Sequence, residues 1–290
     1  VTDPRSYGDE VAVVLVTYSP GELLDRQLDS LEKATRRDVQ VILADNGSTD
    51  GVPEKAAAER ENVRFVPTGG NLGYGSGANR GVAELSSDYG WVVVANQDLE
   101  WRPGSLDELL AATDRWPRGG AFGPLIREVT GEVYPSARLL PSLGRGIGHA
   151  LLCGIWPTNP WTRAYQQATA EITERPAEWL SGACLLLRRE AFDSVNGFDP
   201  RYFMYFEDVD LGDRLGRAGW RNVYVPSAEV VHIGGTATER ASARMLTEHH
   251  RSAYRYLADR YRGPVWGPLR LALRVGLGLR AQLLTRKARS

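Results

Sequence analysis

The chain has 290 residues, of which 42% are hydrophobic and 24% charged, a composition that excludes disordered and fibrous classes and fits one large α/β domain or two smaller ones. Its net charge of −1 hides an asymmetry: residues 240–290 hold 12 of the 35 lysines and arginines but only two of the 36 acids, so an acidic body ends in a basic tail suited to an anionic surface. Cys153 and Cys184 are the only cysteines and form no CxxC, which argues against a disulfide framework or structural zinc and for two idle thiols in a reducing compartment.

The polar amino terminus lacks the basic-then-apolar pattern of a signal peptide, so a cytoplasmic location is expected. Residues 11–17 form a β-branched run that stops at Tyr18-Ser-Pro-Gly, a first strand, and residues 21–34 repeat Leu24, Leu28 and Leu31 at helical spacing. Residues 39–44 are a second strand, and Asp45-Asn-Gly-Ser-Thr-Asp50 a turn and helix cap in one. A third strand at 63–66 is followed by a glycine-rich loop at 69–77 and a helix at 78–85. Trp91-Val-Val-Val-Ala-Asn-Gln-Asp98 is a strand buried on both faces that ends abruptly in polar residues. This alternation predicts a parallel sheet with helices on both faces.

Beyond Asp98 the pattern predicts a helix at 105–116 and a strand at 121–126, then loses its period over 128–178, a length that in a compact domain usually signals a functional loop. A buried strand at 183–187, a turn at 196–199, a helix from Phe203 to about Ala218 and two short strands at 222–226 and 229–233 follow. Residues 240–262 read as one helix, broken from another at 266–287 by Gly263-Pro264. The last helix is interrupted by Arg270, Arg274 and Arg280, and its uncharged runs of about five residues fall far short of the ~20 needed to span a bilayer. It is expected to lie on a membrane through Trp266, Leu269, Leu273, Leu277 and Leu284; the alternative is that this face packs on the body or on a second subunit.

Four polar constellations fall at carboxyl ends of predicted strands, where open α/β sheets bind ligands: Thr17-Tyr18, Asp45-Asn-Gly-Ser48, Asn96-Gln97-Asp98 and His232. Asp45 suits an imide N–H or a ribose hydroxyl, or simply an Asx turn. The glycine-rich stretch could admit a diphosphate, but it lacks the Lys-Ser/Thr of a P-loop and follows the third strand, so ATPase and dinucleotide fingerprints both fail. Glu207, Asp208 and Asp210 open a helix, where the dipole alone favours acids, yet the surrounding aromatics could raise a carboxylate into the range of a general base. His232 reads either as a core histidine or as a metal ligand.

Thr17-Tyr18, the Asp-Asn-Gly-Ser-Thr-Asp segment, Asn-Leu-Gly-Tyr-Gly-Ser-Gly-Ala-Asn, Asn-Gln-Asp, Trp-Leu-Ser-Gly-Ala, Gly-Phe-Asp and Phe-Glu-Asp-Val-Asp-Leu occur in the order seen in GT-A glycosyltransferases of family 2, and the chain most resembles the bacterial rhamnosyltransferases. The resemblance implies an α/β GT-A domain over residues 1–236 and a basic helical region over 237–290. It implies that Thr17, Tyr18, Asp45, Gly73, Asn79, Asn96, Gln97 and Asp98 hold the nucleotide sugar, that Asp98 and His232 bind Mg²⁺ or Mn²⁺, and that Trp179, Ser181 and Gly182 meet the acceptor. Asp208 would be the base, with Glu207 and Asp210 beside it. One departure is Asn96, which replaces the first acid of the family's DxD motif and removes a charge from the metal site.

The implied reaction is inverting transfer of L-rhamnose from dTDP-L-rhamnose to GlcNAc on a polyprenyl diphosphate in cell-wall linker synthesis. The implied partner surface is the inner face of the plasma membrane, with no nucleic acid and with a homo-oligomer left open. Two other readings are a nucleotidyltransferase that makes sugar nucleotides and a non-catalytic nucleotide-sugar-binding scaffold. The second draws support from Asn96 and is opposed by the intact Glu207-Asp208 pair.

Overall fold

The structure, a computed structural model, describes residues 7–141, 172–235 and 243–287. Cys153, the larger part of the aperiodic stretch and the expected border at 236/237 lie outside the described residues. Strands β1 (Glu10–Thr17), β2 (Gln40–Asp45), β3 (Val63–Pro67) and β4 (Tyr89–Asn96) are the predicted apolar runs; residues 11–17 and 41–45 are buried without a break, as strands covered on both faces must be. They pair in parallel in the order β3-β2-β1-β4. Beyond β4 the sheet continues as β11 (Cys184–Arg188), β6 (Gly119–Glu128), β12 (Arg221–His232) and β5 (Leu99–Trp101), with β11 antiparallel to both neighbours. Short strands β7 (Val133–Tyr134) and β9 (Arg175–Ala177) pair with β6 and β12, and β8 (Ala137–Arg138) pairs with β10 (Trp179–Leu180) in a separate ribbon.

Helices cover both faces. Leu24, Leu28 and Leu31 of α1 (Leu23–Ala34) and Leu106 and Leu109 of α4 (Ser105–Arg115) form one core layer, with α2 (Val52–Glu59) beside them. Ala78 and Val82 of α3 (Tyr74–Val82), Phe192 of α5 (Arg189–Ser194) and Leu211 and Leu215 of α6 (Glu207–Arg217) form the other.

Four expectations are corrected. Helix α3 begins at Tyr74 rather than at 78, because the second half of the glycine-rich stretch is helical: a Cβ at Gly77 would lie 2.9 Å from Val16 and one at Gly81 2.5 Å from Val14, so these glycines let the helix lie close on the sheet. The two short strands at 222–233 are one strand, β12, whose register shifts between Val225 and Glu229. Helix α6 starts at Glu207, not Phe203, because Tyr205 and Phe206 both sit at φ +66°. Lastly, α8 (Gly267–Lys287) turns Leu269, Leu273 and Leu277 half inward, whereas Trp266 just before it is exposed as expected, together with Val265, Leu271 and Val275; Leu284's side chain lies outside the described set.

Helix α7 (Ala243–Arg260) is fastened to the body: buried Tyr256 donates its hydroxyl to Asp213 of α6 at 3.1 Å, Arg260 reaches the same carboxylate, and Ser252 Oγ donates to the Met204 carbonyl. No helix of the described residues is long and apolar enough to cross a membrane.

Candidate active site

The carboxyl ends of β1, β2 and β4 lie side by side, since Thr17 is in register with Asp45 and Val16 with Asn96. Thr17 is wholly buried and donates to Asp45 Oδ1 at 2.8 Å; Ser48 Oγ donates to the same oxygen, and the N–H groups of Gly47 and Ser48 donate to Oδ2. These four donors fill the acceptor sites of the carboxylate. Asp45 therefore builds an Asx turn here, and a base or ribose meeting it directly must displace one of them. Tyr18, 55% exposed, is held by Gln97, whose Oε1 accepts the Tyr18 N–H at 2.6 Å while its Nε2 donates to the Tyr18 carbonyl. An exposed ring between two strand ends is placed to stack on a base.

Asp98 follows β4 and meets His232 from the far end of β12, because β5 pairs antiparallel with β12 and sets Leu99 opposite His232. His232 Nε2 donates to Asp98 Oδ1 at 3.1 Å, and the Asn96 amide nitrogen lies 3.4 Å from the same ring nitrogen. Burial alone would lower the imidazole pKa, but the hydrogen bond and charge of Asp98, with Glu128 behind it, hold it above the ordinary value. Gly234 makes the pairing possible: a Cβ there would sit 1.7 Å from Asp98 Oδ2. One carboxylate and one imidazole suit Mg²⁺ or Mn²⁺ only when oxygen ligands from outside the protein, such as a donor diphosphate and water, complete the shell. Among the described residues no group of three or more His, Cys, Asp or Glu side chains converges.

Asp208 is tied to the end of β4 through one segment, since the Asn96 N–H donates to the Ala183 carbonyl and the preceding residue, Gly182, bonds Asp208. Its Oδ2 accepts the Gly182 N–H at 2.9 Å and its Oδ1 the Val209 N–H at 2.8 Å, and a Cβ on Gly182 would stand 3.2 Å from the Asp208 Cβ. Burial pushes the Asp208 pKa up, while these N–H groups and the Arg138 guanidinium pull it down; the upward effect prevails. Glu207 is buried beside it with Oε2 lacking a hydrogen-bond partner, and burial and the Asp208 charge raise its pKa as well. Two adjacent buried carboxyls do not ionise together easily, and the hydrogen bonds assign the charge to Asp208. Asp210 is turned away and ion-paired with Arg214 at 2.6 Å. Trp179 donates to the Leu139 carbonyl and packs on Gly212 of α6, while Ser181 is bonded through its main chain to Ser136 and precedes Gly182, which holds Asp208.

Two of the implied ligand residues are committed to structure. The Asn79 amide is spent on the Phe198 main chain, donating at 2.7 Å and accepting at 2.9 Å. Gly73 takes φ +86° under the Phe203 carbonyl, where any Cβ would be 2.0 Å from that oxygen. Sequence reasoning missed Tyr74, whose hydroxyl donates to the Gly182 carbonyl, and Arg138, which lies over the rings of Tyr134 and Trp179 at 5.1 and 5.5 Å. Tyr74 could have been found from its place in the glycine-rich stretch; Arg138 stands in a two-residue strand with no sequence signal.

Comparison with known proteins agrees with this architecture. The family model for glycosyl transferase family 2 matches residues 12–195, and that for glycosyl transferase family group 2 matches 159–279. The chain is 57% identical over 289 residues, covering 97% of it and 94% of the relative, to the N-acetylglucosaminyl-diphospho-decaprenol L-rhamnosyltransferase of Mycobacterium tuberculosis. It is 26% identical to the rhamnosyltransferase WbbL of Escherichia coli over 86% of this chain and 92% of that one. Among solved structures, the mannosyltransferase PcManGT of Pyrobaculum calidifontis, in complex with GDP-Man and Mn²⁺, aligns with TM-score 0.56 at 19% identity over 99% of this chain and 75% of that one. TarS of S. aureus aligns with TM-score 0.55 at 14% identity over 84% and 65%. The fold is GT-A, and the chain belongs to glycosyl transferase family 2.

Proposed function

We propose that the protein transfers L-rhamnose from dTDP-L-rhamnose to the GlcNAc of a polyprenyl-diphosphate acceptor, with inversion, in the assembly of a cell-wall linker. The observation that carries the substrates is the 57% identity, over nearly the whole of both chains, to an enzyme named for that acceptor and that sugar. The geometry supplies the chemistry. Tyr18 stacks on the base while the Thr17–Asp45–Ser48 cluster shapes the nucleoside end of the cleft. Asp208, charged and held by two main-chain N–H groups, takes the proton of the acceptor hydroxyl as that oxygen attacks the anomeric carbon. The bond from that carbon to the diphosphate breaks as the new one forms, and dTDP departs. Glu207, protonated beside it, leaves the base free of a second negative charge. Asp98 and His232 would hold Mg²⁺ or Mn²⁺, which when bound supplies positive charge to the departing diphosphate.

The acceptor is a lipid, and exposed Val265, Trp266, Leu271 and Val275 with the surrounding arginines support peripheral docking on the inner membrane surface. The test incubates the protein with a panel of sugar nucleotides and a GlcNAc-diphospholipid and identifies products by mass. A deoxyhexose-extended lipid and free dTDP are expected; transfer from another sugar nucleotide in preference to dTDP-rhamnose refutes the donor. Donor binding by calorimetry, with Mn²⁺ and with EDTA, should lose its metal dependence in Asp98→Ala and His232→Ala, and unchanged dependence in both refutes the metal site.

A further inference from the structure

Between α7 and α8, beside Tyr205, lies a cavity of about 390 Å³ that no step above uses. Its walls include Tyr205, Leu246, Ala253 and Leu277, with His249 and the Arg280 guanidinium among them. Arg280 is exposed, and no acid pairs with it among the described residues. An apolar cavity carrying one unpaired cation complements an amphiphile with one anionic group.

The cavity is also built into the loop that presents the base. Tyr205 and Phe206 both hold φ +66°, a conformation that bulky side chains keep only when their surroundings enforce it. Here the enforcement comes from α7: the His249 ring packs edge-on against Tyr205 at 5.3 Å and Phe206 at 5.6 Å, and Phe206 leans on Tyr256 at 5.9 Å. The next two residues are Glu207 and Asp208. One packed unit therefore carries the carboxylate, the cation and the apolar walls, and the assigned acceptor carries the complementary three groups, a sugar hydroxyl, a diphosphate and an isoprenoid chain.

Resting on that acceptor assignment, we propose that this cavity is the subsite for the lipid diphosphate of the acceptor, with Arg280 binding the diphosphate and Leu246, Ala253 and Leu277 receiving the first isoprene units. A volume at the lower end of the small-molecule range admits only the start of a long chain, so the remainder stays in the bilayer. The cavity thus selects acceptors by the group attached to the sugar rather than by the sugar itself.

The full chain is assayed in neutral detergent, away from any anionic bilayer, with GlcNAc-diphospho-farnesol and with octyl GlcNAc, which lacks the diphosphate. Arg280→Gln should raise KM for the first about tenfold, the scale of one charge-assisted hydrogen bond, and leave the second unchanged. Leu277→Gln should raise KM for both by a few-fold, with kcat at saturation retained. Because Arg280 is exposed, its variant keeps the fold and carries the test alone if Leu277→Gln does not. An equal rise for both acceptors in Arg280→Gln overturns the proposal, as does a defect found only with anionic vesicles, which would assign the arginine to phospholipid headgroups. Wild-type protein that extends neither acceptor overturns the acceptor assignment, and the subsite with it.

Discussion

Replacing Asp208 by asparagine separates its chemical task from its structural one. The side chain keeps its shape but cannot take a proton, so turnover should fall by ~10²-fold or more. The structural cost is smaller and can be read from the two N–H groups aimed at it. Asparagine offers one oxygen where the carboxylate offers two, so either Gly182 or Val209 is left facing an amide NH₂. One buried donor without an acceptor costs about 1–3 kcal/mol. Without the Asp208 charge the Glu207 pKa is raised less, which offsets part of that cost, so the melting temperature should drop by no more than a few degrees. Donor affinity should hardly change, since Asp98, Tyr18 and the Asp45 turn are held by partners other than Asp208. The assay is steady-state transfer with calorimetric donor binding and thermal unfolding on the same samples, and Asp210→Asn is the comparison. That variant breaks the 2.6 Å pair with Arg214, whose Nη1 also holds the Val195 and Gly197 carbonyls, so it should lose stability and keep turnover within about tenfold. An active Asp208→Asn with an inactive Asp210→Asn would refute the assignment of the base.

Gly234→Ala should cut metal-dependent donor affinity by at least about tenfold, because the new methyl group must displace the Asp98 carboxylate from His232; Gly216→Ala, where a Cβ meets nothing within 4 Å, is the control, and equal donor affinity in the two refutes the cradle. Glu207→Gln should flatten the dependence of stability on pH. The folded state holds the Glu207 proton more tightly than the unfolded chain does, so wild-type stability declines as pH rises from the ordinary carboxylate range through the raised pKa. Denaturant unfolding at about pH 5 and pH 8 should show that decline in wild type and less of it in the variant, and identical slopes refute it.

The first four strands and the helices between them were legible because each is a long apolar run or a clean helical repeat. Asp98 and His232 were legible as candidates at strand ends, but only the resemblance paired them; spacing alone did not. Their meeting depends on β5, three residues long, and on the register shift inside β12, neither of which leaves a period to read. The aperiodic stretch concealed β7 to β9 for the same reason, and with them Arg138. Asn79 and Gly73 carry structural tasks that the motif did not reveal: the amide of one fastens a distant loop and the other passes under a carbonyl. The leucine face of α8 stood open to two readings, membrane or packing, because spacing reveals that a helix has an apolar side but not what covers it.

The place of β12 in the sheet, between β6 and β5, also sets an order of events in folding. Residues 10–96 close β1 to β4 through contacts between neighbouring strands, whereas Asp98 and His232 are 134 residues apart and meet only after β12 has paired with β6 and β5. Contacts of such sequence separation form late. With the proposed site, a nascent chain would complete the Thr17–Asp45 end well before it has the imidazole that would help engage a diphosphate. The reactive half of a donor would then be held only by a finished molecule, and partly folded chains would be poorly equipped to waste an activated sugar on water.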